Sequence, residues 1–247
     1  CPGEELKGVL GGIDFLRQVN LGQRPDIGKR VVVVGGGNTA MDACRTAVRC
    51  GAEEVYVVYR RTRAEAPAED LEIEEAMEEG VTFKFLTNPA EILGEEGRVK
   101  AVKLQIMELG EPDASGRRKP VPVEGAFETL EVDTVIAAIG QKCDPAGLEG
   151  VALSGKGTVT ADEENCRTNL EGVFAAGDAT NRGASIAIEA IAEGDRAAEA
   201  IDAYLRGASM CFPEPYYSER QVTAEMLADR PKKARAVMSV KNPETRR

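Results

Sequence analysis

The sequence of 247 residues contains no histidine and no tryptophan, and aromatic residues make up only 4% of it. Without histidine, the chain lacks the commonest general base and the commonest protein ligand for transition metals. None of its six cysteines forms a Cys-x-x-Cys pair, so neither a redox-active dithiol nor a closely spaced zinc or iron–sulfur loop is encoded. These absences argue against hydrolytic or metal chemistry and predict no metal-ligating residues.

Long hydrophobic runs are also missing. No run approaches the ~20 apolar residues that cross a bilayer, and there is no secretory signal segment. A formal net charge of −11 argues against nucleic acid as a partner. We therefore expect a cytoplasmic protein that binds neither membranes nor nucleic acid. From Arg230 onward, lysine and arginine outnumber acidic residues by seven to one, which predicts a basic, solvated tail.

Residues 31–40 read Val-Val-Val-Val-Gly-Gly-Gly-Asn-Thr-Ala, so a run of β-branched residues enters a glycine-rich turn. The turn has the pattern Gly35-x-Gly37-x-x-Ala40 of dinucleotide-binding folds. There the first glycine makes the tight turn, the second admits a pyrophosphate, and the small third residue lets helix and strand pack. The helix that follows offers N–H groups and a positive dipole end to phosphates. The alternative is a tight turn in some other α/β protein.

The second predicted strand, over 55–59, ends where an NAD-binding domain places an acid that binds the ribose 2′-hydroxyl. Arg60, Arg61 and Arg63 follow the strand instead, and no acid precedes Glu65. Guanidinium groups bind phosphates bidentately, so this run predicts a 2′-phosphate ligand and hence NADPH rather than NADH. The alternative is a solvated turn of three arginines without a ligand.

The order of predicted elements indicates the fold class. Strands and helices alternate up to residue 86, which predicts a parallel sheet with right-handed crossovers. Segments 90–93, 99–109 and 127–132 alternate with period two and have no helix between them. We therefore predict an α/β fold, a Rossmann-like parallel sheet with an antiparallel β-meander crossover, which resumes at 134–140. The residues expected to face inward are Ile13, Leu16 and Val19 of a helix over 12–20, and Leu71, Ile73, Ala76 and Met77 of a helix over 68–79.

A second constellation lies in Gly172-Val-Phe-Ala-Ala-Gly177-Asp178, which predicts a short strand and turn ahead of a long helix over 184–206. The carboxylate of Asp178 stands at the predicted strand end, where the helix also aims its first amides. A carboxylate there suits the ribityl hydroxyls of a flavin, and the helix dipole suits the electron-rich edge of the flavin ring. A turn with a capping aspartate is the alternative.

Taken in order, these segments resemble flavoproteins with two dinucleotide-binding domains. The residues Gly36-Gly-Asn-Thr-Ala-Met-Asp42 and Val58-Tyr-Arg-Arg61 are most similar to the small (β) subunit of NADPH-dependent glutamate synthase and its relatives. Those relatives include matching domains of dihydropyrimidine dehydrogenase and of electron-bifurcating ferredoxin:NADP oxidoreductases. The resemblance covers residues 3–206 and extends to Ala-Ile-Gly140 and the Gly177-Asp178 segment.

The resemblance implies that NADPH passes a hydride to FAD, and that electrons leave through iron–sulfur clusters to a larger subunit or another electron-acceptor protein. It implies no catalytic acid or base, because hydride transfer mainly requires nicotinamide and flavin to be held together. The implied cofactor-binding residues are Gly35, Gly37, Asn38, Thr39 and Ala40 at the pyrophosphate, Arg60 and Arg61 at the 2′-phosphate, Gly140, and Gly177, Asp178, Ser185 and Ile186 along the flavin.

The sequence also departs from the family, whose members carry an N-terminal cysteine-rich cluster region and a first Gly-x-Gly-x-x-Gly for FAD. We therefore expect a complete NADPH site, about half of an FAD site, and iron–sulfur clusters only in a missing N-terminal part of the same polypeptide. The chain alone should not catalyse the full reaction. The implied division is a linker and lead-in helix over 1–28, an NADPH-binding domain over 29–142, a C-terminal segment of the FAD-binding domain over 143–207, and a peripheral basic tail over 208–247.

Three other functions compete with this interpretation. A thioredoxin-reductase-like enzyme needs a Cys-x-x-Cys, which the sequence lacks. A non-catalytic NADPH-binding module has no need of a flavin-facing carboxylate, so Asp178 counts against it. An electron-input module like that of ferredoxin:NADP oxidoreductase or dihydropyrimidine dehydrogenase stays open, because the sequence does not identify the electron acceptor.

Overall fold

The structure is a computed structural model, and it describes residues 1–112, 118–144, 146–180, 186–208, 221, 223, 226, 233–234 and 236–246. The chain divides into two compact units, one of Cys1–Ile139 with Val237–Arg247 and one of Gly140–Ala236. The strands, all in the first unit, are β1 (Val9–Gly11), β2 (Arg30–Val34), β3 (Glu54–Tyr59), β4 (Thr82–Phe85), β5 (Thr87–Glu95), β6 (Arg98–Pro112), β7 (Arg118–Glu131) and β8 (Thr134–Ala137). Among the described residues, the α-helices with defined bounds are α1 (Gly12–Asn20), α2 (Asn38–Arg49), α3 (Asp70–Glu78), α4 (Ala187–Leu205) in the second unit, and α5 (Pro243–Arg246).

Five strands of the first unit form a parallel sheet in the order β1-β8-β2-β3-β4. Val31, Val32 and Val33 of β2 are fully buried because both faces of the sheet are covered. Val31 and Val33 pack with helix residues such as Phe15, whereas Val32 packs with Leu104 of the meander. The chain leaves β2 toward β3 on one side and reaches β8 on the other. The strand order thus reverses at β2, where doubly wound folds bind their ligands.

A three-stranded antiparallel sheet, β5-β6-β7, takes the place of a crossover helix, which confirms the predicted fold class. Strand β7 is longer than the predicted 127–132. Pro120 and Pro122 break the usual sequence signal of a strand, but an edge strand tolerates proline. A register shift opens between Gln105 and Met107, where the amide of Gln105 donates to the carbonyl of Val123 at 2.7 Å.

Two helix faces differ from those predicted from the sequence. In α1 the fully buried residue is Phe15, and Ile13 is 44% exposed. In α3 only Ile73 and Ala76 are buried, while Leu71 and Met77 are partly exposed. Leu71 lies about 200° around the helix from Ile73, so both cannot face the same core. The sequence therefore predicted that both helices form, but not which residues of each helix face the core.

Where the structure describes it, the second unit contains α4, a 3-10 turn and isolated bridges. The strand predicted over 172–176 is wrong: Phe174 forms a single bridge with Arg167, because the described residues of this unit offer no strand to pair with it. The Phe174 ring instead packs edge-on against Tyr204 of α4, with centroids 5.5 Å apart. Within the described ranges, no helix combines the length and apolarity that a bilayer crossing requires.

An ion-pair cluster joins α2, α3 and α5 around the carboxylate of Glu79, which is 1% exposed. Glu79 accepts hydrogen bonds from Arg45 at 2.7 Å and Arg49 at 3.1 Å. Arg246, near the end of the predicted solvated tail, pairs with Glu75 at 3.1 Å. Burial alone would raise the pKa of Glu79, but the hydrogen bonds from Arg45 and Arg49 outweigh it and hold the pKa below its usual value.

We predict that Glu79→Ala lowers the free energy of unfolding by about 3 kcal/mol, because it removes the buried carboxylate that pairs with both Arg45 and Arg49 and leaves Arg45 to its second partner, Glu75. Glu78→Ala is the matched control: Glu78 pairs with Arg246 from an exposed position, so its loss should cost under about 1 kcal/mol. Urea unfolding of both variants measures the difference.

The cost should also depend on pH. Because the pKa of Glu79 is lower in the folded chain than in the unfolded chain, its contribution is complete above the ordinary value of 4.5. The contribution is lost as the pH falls through the folded value. The stability gap between wild type and Glu79→Ala should therefore narrow below pH 4.5, and a gap that stays constant into acid would contradict this account.

Candidate functional site

The glycine-rich turn after β2 contains glycines of two kinds. A Cβ on Gly35, where φ is +146°, would lie 2.3 Å from the carbonyl oxygen of Ala138, and one on Gly36 would lie 2.6 Å from the ring of Tyr59. Both glycines are therefore required by the packing of the protein itself. Gly37 is different, since its φ of −102° is ordinary and a Cβ there would meet nothing within 4 Å. Its open surface fits a ligand that approaches the backbone closely.

Helix α2 starts at this turn with Gly37 as its N-cap, and no side chain caps it. The N–H groups of Ala40 and Met41 donate to the Gly37 carbonyl at 2.9 and 3.2 Å. Among the described residues, nothing accepts from the N–H groups of Asn38 and Thr39. A helix start with free amides is suited to a phosphate. Ala40 itself is fully buried, where its small side chain lets α2 pack against the sheet.

The turn lies between the carboxyl ends of β3 and β8, the two strands on either side of β2. The N–H of Gly35 donates to Val58 of β3 at 3.0 Å, and the N–H of Ala138, just after β8, donates to Val34 at 2.8 Å. The turn therefore spans the point where the strand order reverses. Gly140, which the resemblance also implied, is exposed and has a φ of +101°.

The three arginines after β3 have different surroundings. Arg60 is exposed, and no ion pair involves it within the described part of the chain. Arg61 is 8% exposed, and its Nε donates to the carbonyl of Arg118 in β7 at 2.8 Å. Arg63 pairs with Asp70 of α3 at 2.9 Å. Arg60 is thus the arginine most available to an anion at the end of β3.

A local network that our sequence analysis missed shapes this loop. The N–H of Thr62 donates to the carboxylate of Glu65 at 3.1 Å, and the Tyr59 hydroxyl donates to the Glu65 carbonyl at 2.8 Å. Thr62 and Glu65 form a reciprocal capping box, and the hydrogen bond that the Thr62 hydroxyl donates to the carboxylate lowers the pKa of Glu65. The spacing Thr-x-x-Glu could have revealed it. The network orders the backbone that carries Arg60.

The second candidate site lies in the second unit at Gly177–Ala179, a single 3-10 turn in which Gly177 has a φ of +76°. The N–H of Gly177 donates to the carboxylate of Glu193 in α4 at 2.7 Å, and the Thr180 hydroxyl donates to the Gly177 carbonyl at 2.8 Å. Asp178 is exposed, as is Ile186 just before α4. Ser185 lies outside the described residues.

The cysteines and carboxylates show no sign of a metal centre where they are described. No group of three or more acidic or cysteine side chains in the described ranges could hold a metal ion. Cys44 lies in the core, and burial raises the pKa of its thiol to about 12, so the thiol stays protonated and unreactive at neutral pH.

Comparison with known proteins identifies the family. A sequence model described as pyridine nucleotide-disulphide oxidoreductase matches residues 1–194. The chain belongs to this family. Members of this family are oxidoreductases that bind FAD and NAD(P).

Similar curated proteins include subunits of larger enzymes. The chain is 48% identical over 205 residues to subunit beta of the NADP(+)-dependent formate dehydrogenase of Moorella thermoacetica, covering 82% of the chain and 29% of that protein. It is 41% identical to subunit beta of the NADPH-Fe(3+) oxidoreductase of Geobacter sulfurreducens (91% and 36% covered) and to the glutamate synthase [NADPH] small chain of Halomonas elongata (83% and 46% covered). The chain thus spans less than half the length of these relatives.

Solved structures share the fold at low sequence identity. FprA of Mycobacterium tuberculosis in complex with NADPH superimposes with a TM-score of 0.64 and 20% identity, covering 86% of this chain and 63% of FprA. Thioredoxin reductase of T. acidophilum gives a TM-score of 0.61 and 22% identity, covering 81% and 58%. The chain therefore shares its fold with about three fifths of each of these two proteins.

Two glycine substitutions separate the packing role of the turn from its ligand role. We predict that Gly35→Ala unfolds at a markedly lower temperature, since its Cβ meets the Ala138 carbonyl and its φ is positive. Gly37→Ala should melt within a few degrees of wild type yet bind NADPH at least ~10-fold more weakly, because the methyl occupies ligand space. Thermal melting and calorimetric titration test the pair. Wild-type affinity in Gly37→Ala would show that no ligand approaches this glycine.

Proposed function

We propose that the chain is the NADPH-binding part of an FAD-dependent oxidoreductase similar to the glutamate synthase small chain, in which hydride passes from NADPH to FAD and electrons continue through iron–sulfur clusters. One observation carries this proposal. The open Gly37 turn with its free amides follows β2, and the exposed Arg60 follows the neighbouring parallel strand β3. Carboxyl ends of parallel strands share one edge, so a dinucleotide with a 2′-phosphate fits across them.

At this site the chain would bind NADPH mainly through backbone groups. The N–H groups of Gly37, Asn38 and Thr39 would hold the pyrophosphate at the positive end of α2. Arg60 would bind the 2′-phosphate. Arg61 is proposed to assist it, although its Nε–H donates to the Arg118 carbonyl. Ala40 would act only by keeping the helix close to the sheet.

The second unit is proposed to supply the C-terminal segment of the FAD-binding domain, with Gly177, Asp178, Ser185 and Ile186 along the flavin. Support comes from the positive-φ turn, the exposed Asp178 and the exposure of apolar side chains on α4. Ile188 and Ile191 are 70% and 64% exposed. Such a face is usually covered in a complete protein. We therefore propose that residues outside this chain cover α4 and complete the FAD site.

Chemistry at the assembled site is then mainly a matter of position. Bound NADPH and FAD would supply hydride transfer, and no side chain of this chain is assigned as acid or base. Gly140 is proposed to line the nucleotide site. The clusters are proposed to lie outside this chain, in an N-terminal part of the same polypeptide, and electrons to pass to a larger subunit or acceptor protein. The names of the relatives, which are beta subunits and small chains, support such a partner.

An electron-input module that serves a different acceptor is the alternative function. Its support is that relatives of comparable identity are named for formate dehydrogenase, Fe(3+) reduction and glutamate synthase. The residues around Arg60 and Gly37 would serve any of these acceptors equally, because they bind only the donor. A non-catalytic NADPH-binding module is the remaining alternative, and flavin reduction distinguishes it.

We predict that Arg60→Ala weakens NADPH binding by roughly 10- to 100-fold, as expected for the loss of a charge-assisted phosphate contact of ~1.5–3 kcal/mol. Binding of NADH should change little. Arg98→Ala, which removes an exposed arginine at the start of β6, is the control for net charge. Calorimetric titration with both nucleotides measures the ratio, and an equal loss for NADPH and NADH would contradict the 2′-phosphate assignment.

A second variant, Arg61→Ala, is compared with Arg60→Ala by calorimetric titration and by thermal melting. Because Arg61 is buried and bonded to β7, its loss should lower the melting temperature as well as NADPH affinity, whereas Arg60→Ala should leave melting unchanged. If Arg61→Ala lowered stability but left the NADPH/NADH ratio untouched, only Arg60 would be a phosphate ligand.

The electron-transfer function is tested with the complete polypeptide that contains this chain. We expect it to bind FAD and its flavin absorbance to bleach when NADPH is added without oxygen, while NADH bleaches it far more slowly. The 247-residue chain alone should bind NADPH without retaining flavin. A complete polypeptide that binds NADPH but no flavin would instead support the non-catalytic module.

A further inference from the structure

We infer that Glu193 is a positioning residue that holds the Gly177–Asp178 turn in the orientation needed at the flavin. The inference rests on the proposed function, in which Asp178 faces FAD. Its structural basis is the 2.7 Å hydrogen bond from the N–H of Gly177 to Oε2 of Glu193, across 16 residues of sequence. Hydrogen bonds from an amide to a carboxylate are stronger than those to neutral acceptors.

Gly177, the residue before Asp178, forms hydrogen bonds through both its N–H and its carbonyl. Its N–H donates to Glu193, and its carbonyl accepts from the N–H and the hydroxyl of Thr180 at 3.0 and 2.8 Å. On the other side of Asp178, the carbonyl of Ala179 accepts from the N–H of Val159 at 2.8 Å. Thr180 and Val159 hold the end of the turn, and Glu193 holds its start. Glu193 links the turn to α4.

Because apolar packing around Glu193 is sparse, this hydrogen bond is important for the contact between the turn and α4. Ala200 is the one buried residue among those described in α4, so apolar contacts alone fix the helix weakly against the turn. Beside Glu193 the unit has a cavity of about 230 Å³, also lined by Cys166, Ala175, Thr180 and Arg196. The side chain of Glu193 lines this cavity and extends from α4 to the N–H of Gly177. A shorter or apolar side chain would leave the turn and helix unconnected there.

The hydrogen bond from Gly177 to Glu193 affects two groups that, in the proposed function, face the same flavin. Asp178 lies in the turn, and the start of α4 with Ile186 lies seven residues before Glu193. The Glu193 tie makes the turn and the helix one body, so the carboxylate and the helix N-terminus keep a constant separation. Catalysis by position requires such constancy, because a misplacement of about 1 Å is enough to slow a reaction strongly.

Substitutions at Glu193 in the complete, FAD-loaded polypeptide test the inference. Glu193→Leu removes the acceptor at similar volume, and the adjacent cavity leaves room for it. Glu193→Gln keeps a neutral acceptor for the Gly177 N–H. Glu199→Leu, at an exposed position of the same helix, is the matched control. Three readouts are amide hydrogen exchange over residues 174–180, the Kd for FAD, and the rate of flavin reduction by NADPH at saturating FAD.

We expect Glu193→Leu to exchange faster over 174–180 and to bind FAD roughly 10- to 100-fold more weakly. Flavin reduction should stay slower even when FAD saturates the site, which a loss of stability alone would not cause. Glu193→Gln should recover most of each change, and Glu199→Leu should match wild type. Wild-type exchange and affinity in Glu193→Leu would overturn the inference, as would a glutamine variant as impaired as the leucine variant.

The same measurements separate a failure of this inference from a failure of the proposed function. If the wild-type polypeptide binds no FAD, the flavin assignment of Asp178 is wrong, whatever Glu193 does. If wild type binds FAD and Glu193→Leu behaves like wild type in exchange and reduction, the flavin site stands and only the positioning role of Glu193 is wrong.

Discussion

A Cβ at Gly35 would lie 2.3 Å from the carbonyl oxygen of Ala138, so the turn that leaves β2 can form only with glycine there. This close approach lets the end of β2 and the end of β8 lie side by side at the point where the strand order reverses. It also brings the start of α2 onto the sheet edge, where Ala40 packs without a large side chain. The proposed nucleotide site therefore depends on the internal packing of the turn, whether or not a ligand is bound.

The three arginines that follow β3 along the chain have different roles. Arg63 neutralises an acidic helix, Arg61 joins β3 to the meander, and Arg60 remains exposed. The capping box of Thr62 and Glu65 orders the chain between them. A guanidinium that already has a carboxylate partner gains less from a phosphate than one that faces only water, so burial and pairing rank the three as ligands.

The second unit is held differently from the first. The parallel sheet is covered on both faces, and its central valines are fully buried. All three isoleucines of α4 are instead exposed, and polar contacts such as the hydrogen bond from Gly177 to Glu193 connect the helix to its turn. This contrast supports the proposal that the first unit binds the nucleotide with a core of its own, whereas the second unit is part of a larger flavin-binding domain.

The sequence by itself determined the α/β class, the glycine turn, the meander and the family, because strand valines, turn glycines and period-two alternation are local signals. It did not determine which face of α1 and α3 is buried, why residues 172–176 form no strand, or which arginine stays exposed. Those outcomes depend on partners distant in sequence, such as Arg118 for Arg61 and Glu193 for Gly177. Only the tertiary structure decides them, because burial and pairing exist only once separate segments meet in space.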